Sequence, residues 1–211
     1  MTEQRYSLWD LQLLTRGSVS AQISLALIFA DTAEDMLEQV DAAIDHIAQD
    51  FARTPKERQG RSEDGLTTDV ITSLRNMGFQ ASHDTTVGGH CDIVIEGCNN
   101  FLWLGEAKIH RSYDWLLQGF NQLDTRYATA SLDQDHGGII IYCYEGRTDV
   151  IIDEWAMRLR QARPDVDVTD RASGERFFKS SHLHHRTGRP YSVRHVPIAL
   201  QWKPLRESSQ G

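Results

Sequence analysis

The residues with the most chemistry to offer are Asp92 and, after thirteen intervening residues, the run Glu106-Ala107-Lys108. The stretches 90–96 and 101–109 are largely apolar and flank a turn rich in Gly and Asn, the pattern of a β-hairpin. Residues two apart on a strand share a face, so Glu106 and Lys108 project together while Ala107 and Ile109 face the other way. A turn centred on Cys98 and Asn99 puts Asp92 opposite Gly105 and Glu106. Two carboxylates and a lysine among apolar residues are costly unless a cation fills the cluster. Carboxylates are hard ligands suited to Mg²⁺ or Mn²⁺, with waters and phosphate oxygens completing the shell. Such an ion makes a nucleophile of bound water and neutralises charge on a reacting phosphate. A lysine two residues from a ligand acid can orient the attacking hydroxide. The chemistry implied is phosphodiester hydrolysis. No Gly-rich nucleotide-triphosphate loop and no Gly-x-Ser-x-Gly elbow is present.

Several elements must position these groups. Ser62 is an N-cap and Gly78 a stop for a helix whose buried stripe is Leu66, Val70, Leu74 and Met77. Glu63 begins that stripe, either as a first-turn acid complementing the helix dipole or as a functional group. Asp64 and Asp69 read as solvated acids. Residues 79–83 read as an edge strand and 84–89 as a turn. A helix over 113–128 packs through Leu116, Leu117, Phe120, Leu123 and Tyr127, with Gln118 and Gln122 stacked on one face. The run 139–144 suits a central strand covered on both sides. Asp149 caps a helix over 150–160, and 193–202 reads as a strand. Upstream, 8–14 is a short helix. Residues 19–29 alternate loosely, as a strand or as a helix running into the next element. Asp31-Thr32 starts a helix that ends near Arg53, before Thr54-Pro55. The expected fold is α/β, a mixed central β-sheet flanked by helices. Its expected divisions are a helical or α/β N-terminal appendage (1–60), a core (61–160) and a basic C-terminal extension packed on the core (161–211).

The motif resembles the PD-(D/E)XK, or restriction-endonuclease-like, nuclease superfamily: an acid at the end of one strand, then (D/E)-x-K on the next. The order helix, three strands, helix, strand over 62–144 matches the core of that family. His90-Cys91-Asp92 stands where the family name has Pro-Asp. The resemblance implies a restriction-endonuclease-like core in which Asp92 and Glu106 bind Mg²⁺ (or Mn²⁺) and Glu63 joins them directly or through water. Lys108 would activate the water. Gln122, preferred over Gln118, would hold the site or contact the backbone; its spacing to Tyr127 departs from the family's QxxxY arrangement. The resemblance further implies a nuclease acting on DNA before RNA, as an effector or subunit of a bacterial anti-phage or restriction-type system. The rival expectation is a catalytically silent nucleic-acid-binding or scaffold subunit.

Charge distribution bears on the substrate. The chain carries −8, but residues 171–206 hold eight Arg or Lys against one acid, Glu175; that segment is net +7 and the rest is −15. Arg176, Lys179, Arg186, Arg189 and Arg194 are the candidate nucleic-acid contacts. Clustered His182, His184, His185 and His195 offer a weaker alternative, a zinc site. The three cysteines lack metal-site spacing and read as free thiols, Cys91 as core. No apolar run approaches the roughly 20 residues that span a bilayer, and the N-terminus lacks a secretory pattern. The expectation is a soluble cytoplasmic protein, with residues 1–53 offering a homodimer or partner interface.

Overall fold

The computed structural model describes residues 6–83, 85–86, 90–172 and 174–203. Most of the turn expected over 84–89, and the end of the basic segment, lie outside the described residues.

Helix α1 (Leu8–Thr15) is followed by α2 (Val19–Ile28), α3 (Ala33–Arg53) and α4 (Glu63–Asn76). Strands β1 (Gln80–Ser82), β2 (Thr85–Thr86), β3 (His90–Cys91), β4 (Ile93–Glu96) and β5 (Leu102–Ile109) come next. Helix α5 (Tyr113–Gln122) continues into a π-helical turn, Leu123–Tyr127. Then follow β6 (His136–Cys143), α6 (Thr148–Ala162), β7 (Asp167–Val168), β8 (Phe178–Leu183) and β9 (Pro190–Ala199).

Seven strands form one mixed sheet in the order β1-β4-β5-β6-β9-β8-β7, and β2 pairs with β3 apart from it. The central strands β5, β6 and β9 are parallel; the flanking pairs are antiparallel. Parallel neighbours need a crossover, and α5 supplies the one from β5 to β6. Alternation along the strands splits the apolar side chains between two cores. One holds Trp103, Ala107, Ile140 and Val196 against α3 and α4. The other holds Leu104, Ile139, Ile141 and Val193 against α5 and α6. The structure is thus α/β, a mixed sheet covered on both faces.

Two expectations are corrected, and one open alternative closes. Residues 19–28 are a helix, one of the two readings the stretch allowed, and it stops at Ile28 before α3 begins. Ser18 Oγ caps it by accepting the Ala21 N–H, and apolar residues are so dense there that alternation carries no information. The N-cap position of helix α6 is Arg147, which makes no side-chain capping bond, and Asp149 lies inside the first turn. The core crosses both expected boundaries. The buried stripe of α3 (Val40, Ile44, Ile47, Phe51) packs with α4 and with Val196 and Ile198 of β9. The segment beyond 161 is built into the sheet, where β9 lies between β6 and β8.

Candidate active site

The site begins where pairing between β4 and β5 stops. The last ladder pair is Ile93 with Gly105. One residue earlier the chain bends away at Asp92, so the β5 edge beyond Gly105 has N–H groups with no β4 carbonyl. Side chains satisfy two of them. The Ala107 N–H donates to Asp92 Oδ2 at 2.9 Å, and the Ile109 N–H donates to Glu63 Oε2 at 2.7 Å. Glu63 reaches that edge because it is the first residue of α4, whose N-cap Ser62 accepts the Gly65 N–H. His83 Nδ1 donates to the Asp92 carbonyl oxygen at 2.7 Å and steadies the bend.

Glu106 and Lys108 project from β5 on the α5 side of the sheet. Lys108 Nζ lies 2.6 Å from Glu106 Oε1, 3.5 Å from Glu63 Oε1 and 3.7 Å from Asp92 Oδ2. Glu106 and Lys108 are buried, 2% and 5% exposed; Glu63 and Asp92 open partly to solvent. Three carboxylates around one ammonium leave negative charge unmatched. Burial, then the charge of Asp92, pushes Glu106 up to about 7, against the pull of Lys108. Burial also raises Asp92, only partly offset by the Ala107 N–H and Lys108. For Lys108, burial works downward, but Glu106, Asp92 and Glu63 together outweigh it and hold the ammonium above the ordinary lysine value.

Helix α5 closes over this pair through Gly119, where a Cβ would meet Lys108 Cγ at 3.0 Å and Glu106 Cγ at 3.4 Å. The Trp115 ring lies one turn earlier, its centroid 5.4 Å from Lys108 Nζ. Gln122, one turn after Gly119, is half-buried with Oε1 buried and unpartnered, whereas Gln118 is exposed. Exposed Arg111 stands 6.0 Å from the Trp115 centroid. Sequence reasoning passed over Gly119, Trp115 and Arg111. A glycine in the middle of an apolar helix face was the available signal, since it needs a packing reason.

Glu106 Oε2 is buried without a partner, and Asp92 Oδ1 takes no part in the contacts above. Among the described residues no group of three or more His, Cys, Asp or Glu side chains is arranged to hold a metal ion by itself. A Mg²⁺ site needs less: one or two carboxylates, with water and substrate phosphate supplying the rest. Asp92 and Glu106 meet that requirement.

The basic candidates scatter. Arg194 is buried, bonded through Nη2 to both Asp45 oxygens at 2.8 Å and covered by the Phe177 ring. It is a structural ion pair, which corrects its assignment to a phosphate track. Lys179 lies 3.5 Å from Asp41. Arg186 donates to the Ala128 carbonyl. Arg186 and Arg189 sit in the β8–β9 turn. Lys108 is level with Ile141 and thus with Pro197, seven residues along β9 from Pro190, or about 23 Å. Exposed Arg176, just before β8, lies at the same end of the sheet as the carboxylates.

The histidines are committed elsewhere. Trp155 Nε1–H donates to His195 Nδ1 at 3.0 Å, so Nε2 carries the proton and donates to Ser180 Oγ at 2.9 Å. That tautomer cannot act as base for the serine. His182 Nε2 bonds Asp124, and His184 Nδ1 meets Thr187. His182 Nδ1 and His184 Nε2 are buried without partners, but among the described residues no three histidines converge as a zinc site would require. Cys91 and Cys143 are buried, their thiols pushed up to about 12 chiefly by burial, and Cys98 is exposed. No described helix is long and apolar enough to cross a membrane.

Comparison with protein-family models, with curated proteins and with solved structures found no match.

Proposed function

We propose that this chain is a Mg²⁺-dependent nuclease of the restriction-endonuclease-like kind, hydrolysing phosphodiester bonds, DNA before RNA. The observation that carries the reading is the meeting of Glu63, Asp92 and Glu106, from three separate elements, on the one ammonium of Lys108. With the separate β2–β3 pair set aside, the order α4, β1, β4, β5, α5, β6 supports it, because that is the helix, three strands, helix, strand order of the family core.

Asp92 and Glu106 would hold the ion, with Glu63 direct or through water. When bound, the ion supplies Lewis-acid activation of water and charge neutralisation at phosphate. The backbone N–H groups of Ala107 and Ile109 fix Asp92 and Glu63, so those carboxylates need no reorganisation to meet a substrate. Lys108 orients the attacking water and stabilises charge on the phosphoryl oxygens. Gln122 offers a buried amide for the substrate backbone. Arg176 and Arg111 are exposed cations placed to meet flanking phosphates.

The test is incubation with plasmid and oligonucleotides in Mg²⁺, Mn²⁺ or EDTA, beside Lys108→Ala. Metal-dependent cleavage that the variant loses is the expected result. Binding without cleavage under every metal would instead favour the silent-subunit reading.

A further inference from the structure

Resting on the metal-site reading above, a second role follows for Lys108 before any substrate arrives. Three carboxylates sharing one partly buried spot repel one another and lack water to screen them. A cation already stands among them: Lys108 Nζ, 2.6 Å from Glu106 Oε1 and within 3.7 Å of Asp92 and Glu63. It sits on the carboxylate whose other oxygen, Oε2, is buried and unpartnered. Lysine suits such a post, being a compact point charge on a flexible stem. A second seat lies close by, since the Trp115 ring is already within cation–π range of Nζ at 5.4 Å. With no Cβ at Gly119, the lysine stem lies directly along α5, its Cγ and Cε 3.0 and 3.1 Å from where that atom would stand, on the helix that also carries Trp115.

We propose that Lys108 is the resident counter-ion of the acidic cluster and competes with the divalent ion for it. Metal entry is then an exchange of cations: the ammonium leaves Glu106 and moves to the face of Trp115, beside the ion it has made way for. Metal-free protein avoids holding three uncompensated carboxylates, at the expense of metal affinity.

The test uses Ca²⁺ alone and the full chain. Calorimetric titration compares the natural protein with Lys108→Met at about pH 9, where protons do not replace the ammonium as competitor. A charge at this range shifts cation affinity by roughly 10- to 1000-fold, so the variant should bind Ca²⁺ at least about tenfold tighter. The second measurement needs no variant. The chain has four lysines, and Lys56, Lys179 and Lys203 are all exposed. In a ¹³Cε spectrum, Ca²⁺ should move the Lys108 resonance and leave the other three in place. Equal or weaker binding by Lys108→Met overturns the proposal, and so does an unmoved Lys108 resonance while Ca²⁺ binds. Should Lys108→Met fail to fold, the spectrum decides alone. No Ca²⁺ binding to either protein overturns the metal site itself.

Discussion

Asp92 and Ala107 are joined by one hydrogen bond, backbone N–H to Oδ2 at 2.9 Å, at the point where the β4 ladder has ended. A carboxylate thereby replaces a strand. The same bond completes the sheet edge and aims the acid at Lys108, so its geometric and chemical contributions can be separated by substitution.

Asp92→Asn retains an oxygen for the Ala107 N–H and removes a charge that burial disfavours. Metal-free protein should melt at the same temperature or higher. Cleavage should fall on the order of 10²-fold or more, because a metal ligand is lost. Asp92→Ala leaves the Ala107 N–H unpaired and should cost about 1–3 kcal/mol. Thermal melts of the two variants side by side, with a cleavage assay, check this; equal destabilisation by both would contradict it.

Gly119→Ala adds a methyl group 3.0 Å from Lys108 Cγ and 3.1 Å from Lys108 Cε. Helix propensity favours alanine by roughly 1 kcal/mol, which offsets the crowding. Stability should stay within about 1 kcal/mol of the natural protein while cleavage drops, because the lysine must shift. Denaturant melts and single-turnover rates report the two effects separately.

His195 lies wholly buried between Trp155, Ser180 and Phe178, and burial lowers it from 6.5 to about 3. The folded state keeps it neutral while the unfolded state takes up a proton below 6.5. Its contribution is therefore intact above 6.5 and lost as pH falls from 6.5 toward 3, at about 1.4 kcal/mol per pH unit. Stability against urea should show this slope in the natural protein. The slope should be shallower in His195→Phe, even though that variant is less stable at neutral pH.

Arg194→Ala should destabilise by about 1.5–3 kcal/mol, since it removes charge-assisted bonds to Asp45. Arg176→Ala should leave stability within about 0.5 kcal/mol and reduce the salt slope of nucleic-acid binding by about one. Melting curves and binding at several salt concentrations distinguish the two arginines.

Local signals in the sequence reach a good part of this molecule. The Asn-rich turn is legible because Asn99 and Asn100 take left-handed backbone, with φ of 52° and 65°. The N-cap at Ser62 and the stripe behind it place Glu63 on an inward face. Contacts between distant segments were not legible. That Glu63 would meet the N–H of Ile109, 46 residues on, depends on how α4 crosses the β5 edge. Arg194 reads as one basic residue among several until α3 brings Asp41 and Asp45 against it. Strand β8 was hidden because polar residues Lys179, Ser180, Ser181 and His182 fill it. Two of them, Ser180 and His182, are buried on bonds to His195 and Asp124 that only the fold supplies.

Strand β9 pairs with β6 along eight residues, from Ser192 to Ala199, yet it is made long after Glu63, Asp92, Glu106 and Lys108. On the ribosome, every group of the proposed site emerges before β9 exists to pair with β6 as its second parallel neighbour and to lie under α3. A nascent chain therefore carries the acids, and the β5 edge that orients them, before the sheet behind that edge is complete.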